Sequence, residues 1–334
     1  MRIPGIKRVR PFPRWVMSRF RHRAVILAYH RVADVDSDPY GLCVRPRYFD
    51  EQLSAVRKFA HPLSLEELVR GLSERRLPKR AVAVTFDDGY VDNLHNAKPL
   101  LARHDVPATV FAVSGNCGRE FWWDELNRLL PTEDELPTTL RLRANGSSYE
   151  WNRKRHLHLL PKSPRILARV LGTPRQRLLK ELHELIRTLP ERQRRSMLRQ
   201  LSTGVASAST IVEERELSER ELIDLADGGL IDVGAHTETH PFLALLSPAE
   251  QLREIRQSKK RLESLLGRSI AGFSYPHGSL DAGTPQLVRE AGFSLACSSR
   301  ADAAGYSSER FQLPRLWVRN HDGEAFSRWL HRWL

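Results

Sequence analysis

The chain is poor in cysteine, in acid and in long apolar runs. Its 334 residues hold three cysteines, Cys43, Cys117 and Cys297, with no CxxC spacing among them. That excludes a disulfide framework and a cysteine-rich zinc site, and gives no sign of an oxidising compartment. No stretch approaches the roughly 18 apolar residues needed to cross a bilayer. Val25 to Tyr29 is too short for a signal-peptide core, and Phe12 to Phe20 is broken by Pro13, Arg14, Ser18 and Arg19. A cytoplasmic protein is the expectation. The Arg-, Phe- and Trp-rich start also fits a weak peripheral contact with anionic lipid at the inner face of the membrane.

The acid deficit is large: 40 Asp or Glu stand against 53 Lys or Arg, a formal charge of +13. Such a balance favours nucleic acid, acidic lipid or acidic glycan without choosing among them. No nucleic-acid-binding motif accompanies the charge, so nucleic acid is not expected as a partner. The excess is concentrated between Arg141 and Arg215, where 17 Lys or Arg face 6 Asp or Glu, a net of +11. Arg175, Arg177, Lys180 and Arg187 fall between leucines, the spacing of the wet side of amphipathic helices. Either a solvated helical insertion or a surface that holds an acidic polymer is consistent with that pattern.

Short apolar runs alternate with longer amphipathic ones. Val25–Tyr29, Ala81–Phe86 and Ala108–Val113 read as buried strands; between them, Pro46–Phe59 and Leu65–Leu72 have helical spacing, with Ser64 and Glu67 forming a capping box. Alternation resumes near Ser218, with strands predicted over Leu230–Ala235, Ile270–Tyr275, Phe293–Ala296 and Phe311–Val318 and helices over Glu219–Ala226 and up to Leu266. About seven strands in a βα series call for a mostly parallel sheet covered by helices, open or closed into a barrel. Residues 1–334 are therefore expected to form one domain, with residues 119–215 a mainly helical basic insertion. Within it, a hairpin is predicted around Asn145-Gly146, helices over Arg175–Leu189 and Glu191–Leu201, and a linker over Thr203–Thr210.

Two strand ends carry candidate chemistry. Thr85-Phe86-Asp87-Asp88-Gly89 sets two adjacent carboxylates behind a buried strand. Like charges there repel unless a cation or hydrogen bonds compensate; the alternative is a pair of turn aspartates capping the next helix. His236-Thr237-Glu238-Thr239-His240-Pro241 follows another strand. Histidines four apart share one face of a helical turn, so both rings reach one metal, while Glu238 points elsewhere. Two imidazoles and one carboxylate, Asp88, make a common hydrolytic metal shell with positions left open for water and substrate. The pattern is not His-Glu-x-x-His, so no metalloprotease mechanism is assigned.

These stretches resemble the polysaccharide deacetylases related to nodulation-type chitooligosaccharide deacetylases (carbohydrate esterase family 4). Thr85–Gly89 looks like that family's first motif and His236–Pro241 like its second. The resemblance implies a distorted (β/α) barrel of about seven parallel strands. It also implies that Asp87 is the general base and that Asp88, His236 and His240 hold one divalent ion, zinc or a similar metal. Phe273-Ser274-Tyr275-Pro276-His277-Gly278 resembles a variant third motif without the usual arginine, so another cation must orient Asp87; Arg315, in Leu313-Pro314-Arg315, is the candidate. The family's late Leu-x-x-His is missing, leaving His277 and His321 as alternative general acids. His30, in Tyr29-His30-Arg31-Val32, resembles a pocket element of the variant group. Trp122 and Trp123 resemble aromatics near the insertion of such relatives, fitted either to stack on sugar or to pack helix on barrel.

The implied activity is hydrolysis of acetyl groups from an acetylated amino-sugar glycan, with the oxyanion held by the metal and a backbone N–H near Tyr275 or after Gly89. The glycan is expected to be acidic or built on a lipid carrier. O-deacetylation and a non-catalytic glycan-binding protein on the same scaffold are the competing readings.

Overall fold

The computed structural model describes residues 23–115, 117–144, 146–153, 173–204 and 214–334. The basic N-terminal start, Asn145 and most of the predicted 203–210 linker lie outside them. Among the described residues no helix is long and apolar enough to cross a membrane.

Seven parallel strands follow one another around the molecule in chain order: β1 (Arg23–Tyr29), β2 (Ala81–Phe86), β3 (Ala108–Ala112), β4 (Ile231–Ala235), β5 (Gly272–Ser274), β6 (Leu295–Cys297) and β7 (Leu316–Trp317). β7 returns to lie parallel to β1, Leu27 opposite Leu316. One bridge, Cys297 to Leu313, joins β6 to the root of β7. The sheet thus curls into the distorted barrel that the family resemblance implies, tightest at β1–β4 and loosest between β6 and β7. β1 and β2 are buried along nearly their whole length, as both faces of a parallel strand under helices require.

The helices cover the strands through one continuous apolar cluster that includes Leu27, Phe49, Val84, Val110, Val233, Ile255, Phe273 and Phe326. Local signals set their limits. Capping boxes at Ser64, Ser218 and Ser247 start three of them, and Gly267 in left-handed conformation (φ 65°) ends the long helix α8 (Pro248–Leu266). The helix after β2 begins as a wider turn at Asn93–Ala97 and continues as Lys98–His104, which puts Pro99 in the first turn of the regular helix, where its missing N–H is tolerated.

Between β3 and β4 the chain leaves the barrel. It forms α4 (Trp122–Leu129), an antiparallel hairpin (Thr139–Ala144 with Ser147–Asn152), α5 (Pro174–Ile186) and α6 (Glu191–Gly204). Leu126, Leu178, Leu182, Ile186 and Leu198 give this layer a hydrophobic cluster of its own.

Candidate active site

Arg315 immediately precedes β7, while several other candidate groups stand just beyond the C-terminal end of a barrel strand: His30 after β1, Asp87 and Asp88 after β2, His236 after β4 and Tyr275 after β5. That is the end where parallel barrels assemble side chains from separate strands. The turn after β2 has left-handed backbone at Asp88 (φ 74°) and Gly89 (φ 79°). A Cβ at Gly89 would lie 3.1 Å from that of Ala112, so glycine lets the loop sit against β3.

Asp88, His236 and His240 are buried, and their donor atoms all lie within 4.8 Å of one another. Nε2 of His236 is 3.4 Å and Nε2 of His240 3.2 Å from the same oxygen, Oδ1 of Asp88. Nδ1 of His236 is 2.8 Å from the Ser274 carbonyl. A carbonyl only accepts, so that nitrogen carries the proton and Nε2 offers its lone pair to the cluster. Burial pushes the Asp88 carboxyl up, but the His236 and His240 imidazoles beside it outweigh that and leave the group well below its ordinary range. Two imidazole nitrogens and one ionised carboxylate oxygen, converging in a dry pocket, fit a divalent cation.

The histidines do not meet through a helical turn. Thr237 (φ 66°) and His240 (φ 58°) are left-handed, and the segment is a tight loop. The Thr237 hydroxyl donates to the His236 carbonyl (2.6 Å) and accepts from the His240 N–H (3.1 Å). From α8 the Glu254 carboxylate accepts the N–H groups of Glu238 (3.1 Å) and Thr239 (2.9 Å) and the Thr239 hydroxyl (2.9 Å). Three hydrogen bonds to one carboxylate hold the loop in this strained form. Short-range spacing carries no signal for Glu254.

Asp87 lies beside the cluster, held by Arg315. The guanidinium donates from Nη1 to Oδ1 (2.8 Å) and from Nη2 to Oδ2 (2.7 Å). Its remaining N–H groups go to the Thr85 hydroxyl (3.2 Å), the Ser274 hydroxyl (2.9 Å) and the Ser298 carbonyl (3.2 Å). All five donors are thereby engaged, which fixes a buried arginine in one position. Burial raises the Asp87 pKa, but the charges of Arg315 and then His236 prevail and bring it down to about 2. The residue is a carboxylate at any ordinary pH.

A cleft of about 400 Å³ opens over these groups, lined by His30, Asp87, Asp88, Trp123, His236, His240, Tyr275, His277 and Arg315 among others. His277 has a left-handed backbone (φ 56°), and its ring stacks on Phe242 with centroids 3.8 Å apart, 4.4 Å from the His240 ring. One side of His277 meets solvent, yet desolvation by those walls, and next the charge of His240, hold its pKa well below the ordinary value. His321 is exposed and does not line the cleft; its carbonyl accepts from Gln52 (2.7 Å). Trp122 also stands away from the cleft, stacked on His183 (4.9 Å) beneath the Arg194 guanidinium (5.0 Å). Trp123 does reach the cleft, with its indole N–H donated to the Tyr90 hydroxyl (2.8 Å). The Tyr275 hydroxyl is bonded to the Phe311 carbonyl (2.7 Å), and its N–H points to the Cys297 carbonyl at 3.4 Å. Phe242, His183, Arg187 and Trp317 line the cleft although no motif singles them out.

Strand order and rim cluster together define a (β/α) barrel with a candidate metal centre at its C-terminal rim. The polysaccharide deacetylase profile matches residues 74–136 and 202–296, the two stretches that carry the cluster. The chain belongs to the polysaccharide deacetylase family. YxkH of Bacillus subtilis (strain 168), which is named for the same family, is 19% identical over 319 residues, 95% of this chain and 79% of that protein. The poly-beta-1,6-N-acetyl-D-glucosamine N-deacetylase of Staphylococcus aureus (strain N315) is 28% identical over 110 residues, 29% of this chain and 38% of that protein. Among solved structures, the Streptococcus pyogenes deacetylase PplD, in complex with acetate, superposes with a TM-score of 0.58 at 20% identity, covering 92% of this chain and 98% of that one. IcaB from Ammonifex degensii gives 0.58 at 19% identity, covering 92% and 97%. These likenesses share the barrel fold.

Proposed function

We propose that this chain is a divalent-metal-dependent hydrolase that removes N-acetyl groups from an amino-sugar glycan. The observation that carries the reading is the buried Asp88–His236–His240 cluster with an arginine-clamped carboxylate, Asp87, next to it. Asp88, His236 and His240 would hold the ion, with zinc the natural fit for two imidazoles and one carboxylate. A bound ion of this kind supplies Lewis-acid polarisation of the acetyl carbonyl and makes water more acidic.

The protein's own groups do the rest. Asp87, kept ionised and aimed by Arg315, takes the proton of the attacking water. Its low pKa makes it a weak base alone, so the role requires water already acidified in the site. His277 is the proton donor to the departing amine that the cleft favours, since His321 is outside it. His30 and Trp123 border the space in which the sugar lies. The substrate is an N-acetylglucosamine-type glycan, carried on a lipid or bearing acidic groups that suit the protein's net positive charge.

O-deacetylation is the second reading, and one observation favours it: the depressed His277 pKa leaves less acid for an amine, whereas an ester leaving group needs less help. Acetate release from matched N-acetylated and O-acetylated sugars tests both. The proposal expects faster release from the N-acetylated set by the metal-loaded protein, and loss of release with Asp87→Asn. Exclusive release from O-acetyl sugars would replace it with the second reading. Full biological activity of the Asp87→Asn protein would point to a binding protein instead.

A further inference from the structure

The end of β7 carries an aromatic surface that the proposed reaction does not use. Arg315, Leu316, Trp317 and Val318 alternate across the barrel wall: Leu316 and Val318 are buried in the core, while Arg315 and Trp317 both line the cleft. Arg315 ends on Asp87. Trp317, two residues on and about 7 Å further along the strand, leaves 41% of its surface exposed. Large aromatics rarely stand this open, because each can withdraw an area on the order of 200 Å² from water. Among the described residues only Ile223, Leu245 and Trp317 are large, apolar and exposed, and of these Trp317 alone lines the cleft.

The indole is held in place by its neighbours and left partly exposed. The Arg319 guanidinium lies 4.4 Å from its ring centre, and the His30 ring 5.2 Å away. Gly41, with left-handed φ of 67°, gives Arg319 its room: a Cβ there would stand 3.0 Å from Nη1. On β1 the residue in register with Trp317 is Ala28, too small to cap the ring. A fixed, solvent-facing indole one step outward from the reacting carboxylates suits the C–H face of a pyranose whose substituents are equatorial.

We propose that Trp317 is a stacking platform for a second sugar, next to the one whose acetyl group enters the Asp87–Asp88 site, so that the substrate is an oligosaccharide rather than a single sugar. This rests on the proposed deacetylase reading and extends it from the acetyl group to the neighbouring unit. The platform acts on binding. Removing it raises KM and leaves the chemical step nearly as before.

The test compares full-length protein carrying Trp317, Trp317→Ala or Trp317→Phe, with a β-1,6-linked N-acetylglucosamine tetramer and free N-acetylglucosamine as probes. Calorimetric titration is done in the Asp87→Asn background, and steady-state acetate release in the Asp87 background. Trp317→Ala is expected to weaken tetramer binding and raise its KM about tenfold, the scale of one aromatic stack. The monosaccharide Kd and the tetramer kcat should each move less than twofold, and Trp317→Phe should restore most of the loss. Equal effects of Trp317→Ala on tetramer and monosaccharide, or a tetramer bound no more tightly than the monosaccharide when Trp317 is present, would overturn the proposal. If acetate is never released but tetramer binding still depends on Trp317, the deacetylase reading fails and the platform stands.

Discussion

The barrel rim and the helical layer treat charge in opposite ways. At the rim, Arg315 and Asp87 are both buried, and every N–H of the guanidinium has a named acceptor. In the layer, Lys180, Arg192, Arg195 and Arg199 are exposed, and pairs such as Arg187–Glu184 and Arg195–Glu191 join neighbours on one helix. Surface pairs of this kind contribute little. A buried pair opposes a desolvation penalty of several kcal/mol per ion. Stability alone gives no reason to bury Asp87 and Arg315, and the proposed chemistry does. The family profile covers the segments that carry the rim cluster, residues 74–136 and 202–296, and leaves most of the layer between them unmatched.

Three tests break or sharpen this contrast. The largest effect is expected from Arg315→Met, which leaves Asp87 buried without its cation; unfolding free energy should fall by about 3–5 kcal/mol. Adding Asp87→Asn should return much of that in denaturant unfolding, while activity stays lost. A fully additive pair would show that the two groups do not act as a unit. Next is Glu254→Gln, which replaces one acceptor oxygen beneath the His236–His240 loop by a donor. A loss of about 1–3 kcal/mol is expected, together with weaker zinc binding by titration, since the loop carries two of the proposed ligands.

A third test addresses the seam between the two regions. Tyr90 donates its hydroxyl to Asp124 of α4 (2.6 Å), and burial pushes the Asp124 pKa up to about 8. A folded-state pKa above the unfolded one means that the native state binds the extra proton. Stability is then greatest below about pH 4 on this account and declines as pH rises toward 8. Asp87 has the reverse sign: its contribution is present above about pH 4 and disappears as pH falls toward 2. Asp124→Asn should flatten the upper slope of melting temperature against pH and leave the acid limb intact. An unchanged upper slope would remove Asp124 from the account.

Sequence alone carried the barrel and part of the site, and the physical reasons are local. A buried parallel strand is a short apolar run; Asp87, Asp88 and His236 sit within two residues of the ends of such runs, and His240 follows four residues after His236. Arg315 was reachable only through likeness to a known variant, because its partner is 228 residues away. Glu254, Ser274 and Trp317 left no mark: each acts across the fold through one side chain or carbonyl. The loop joining the two histidines was misjudged as a helical turn for a related reason. Its left-handed residues are Thr237 and His240, not glycine, and what holds them there comes from α8. The second cleft wall was hidden because His183 and Arg187 read as ordinary positions on an amphipathic helix.

The most direct test is calorimetric titration of zinc into metal-stripped protein, run on the unaltered chain, Asp87→Asn, Asp88→Asn and His236→Ala, with circular dichroism to verify folding. One equivalent is expected to bind to the unaltered chain and to Asp87→Asn, with affinity at least about tenfold lower in the other two. Stoichiometric zinc binding of unchanged affinity in folded Asp88→Asn and His236→Ala proteins would contradict the account.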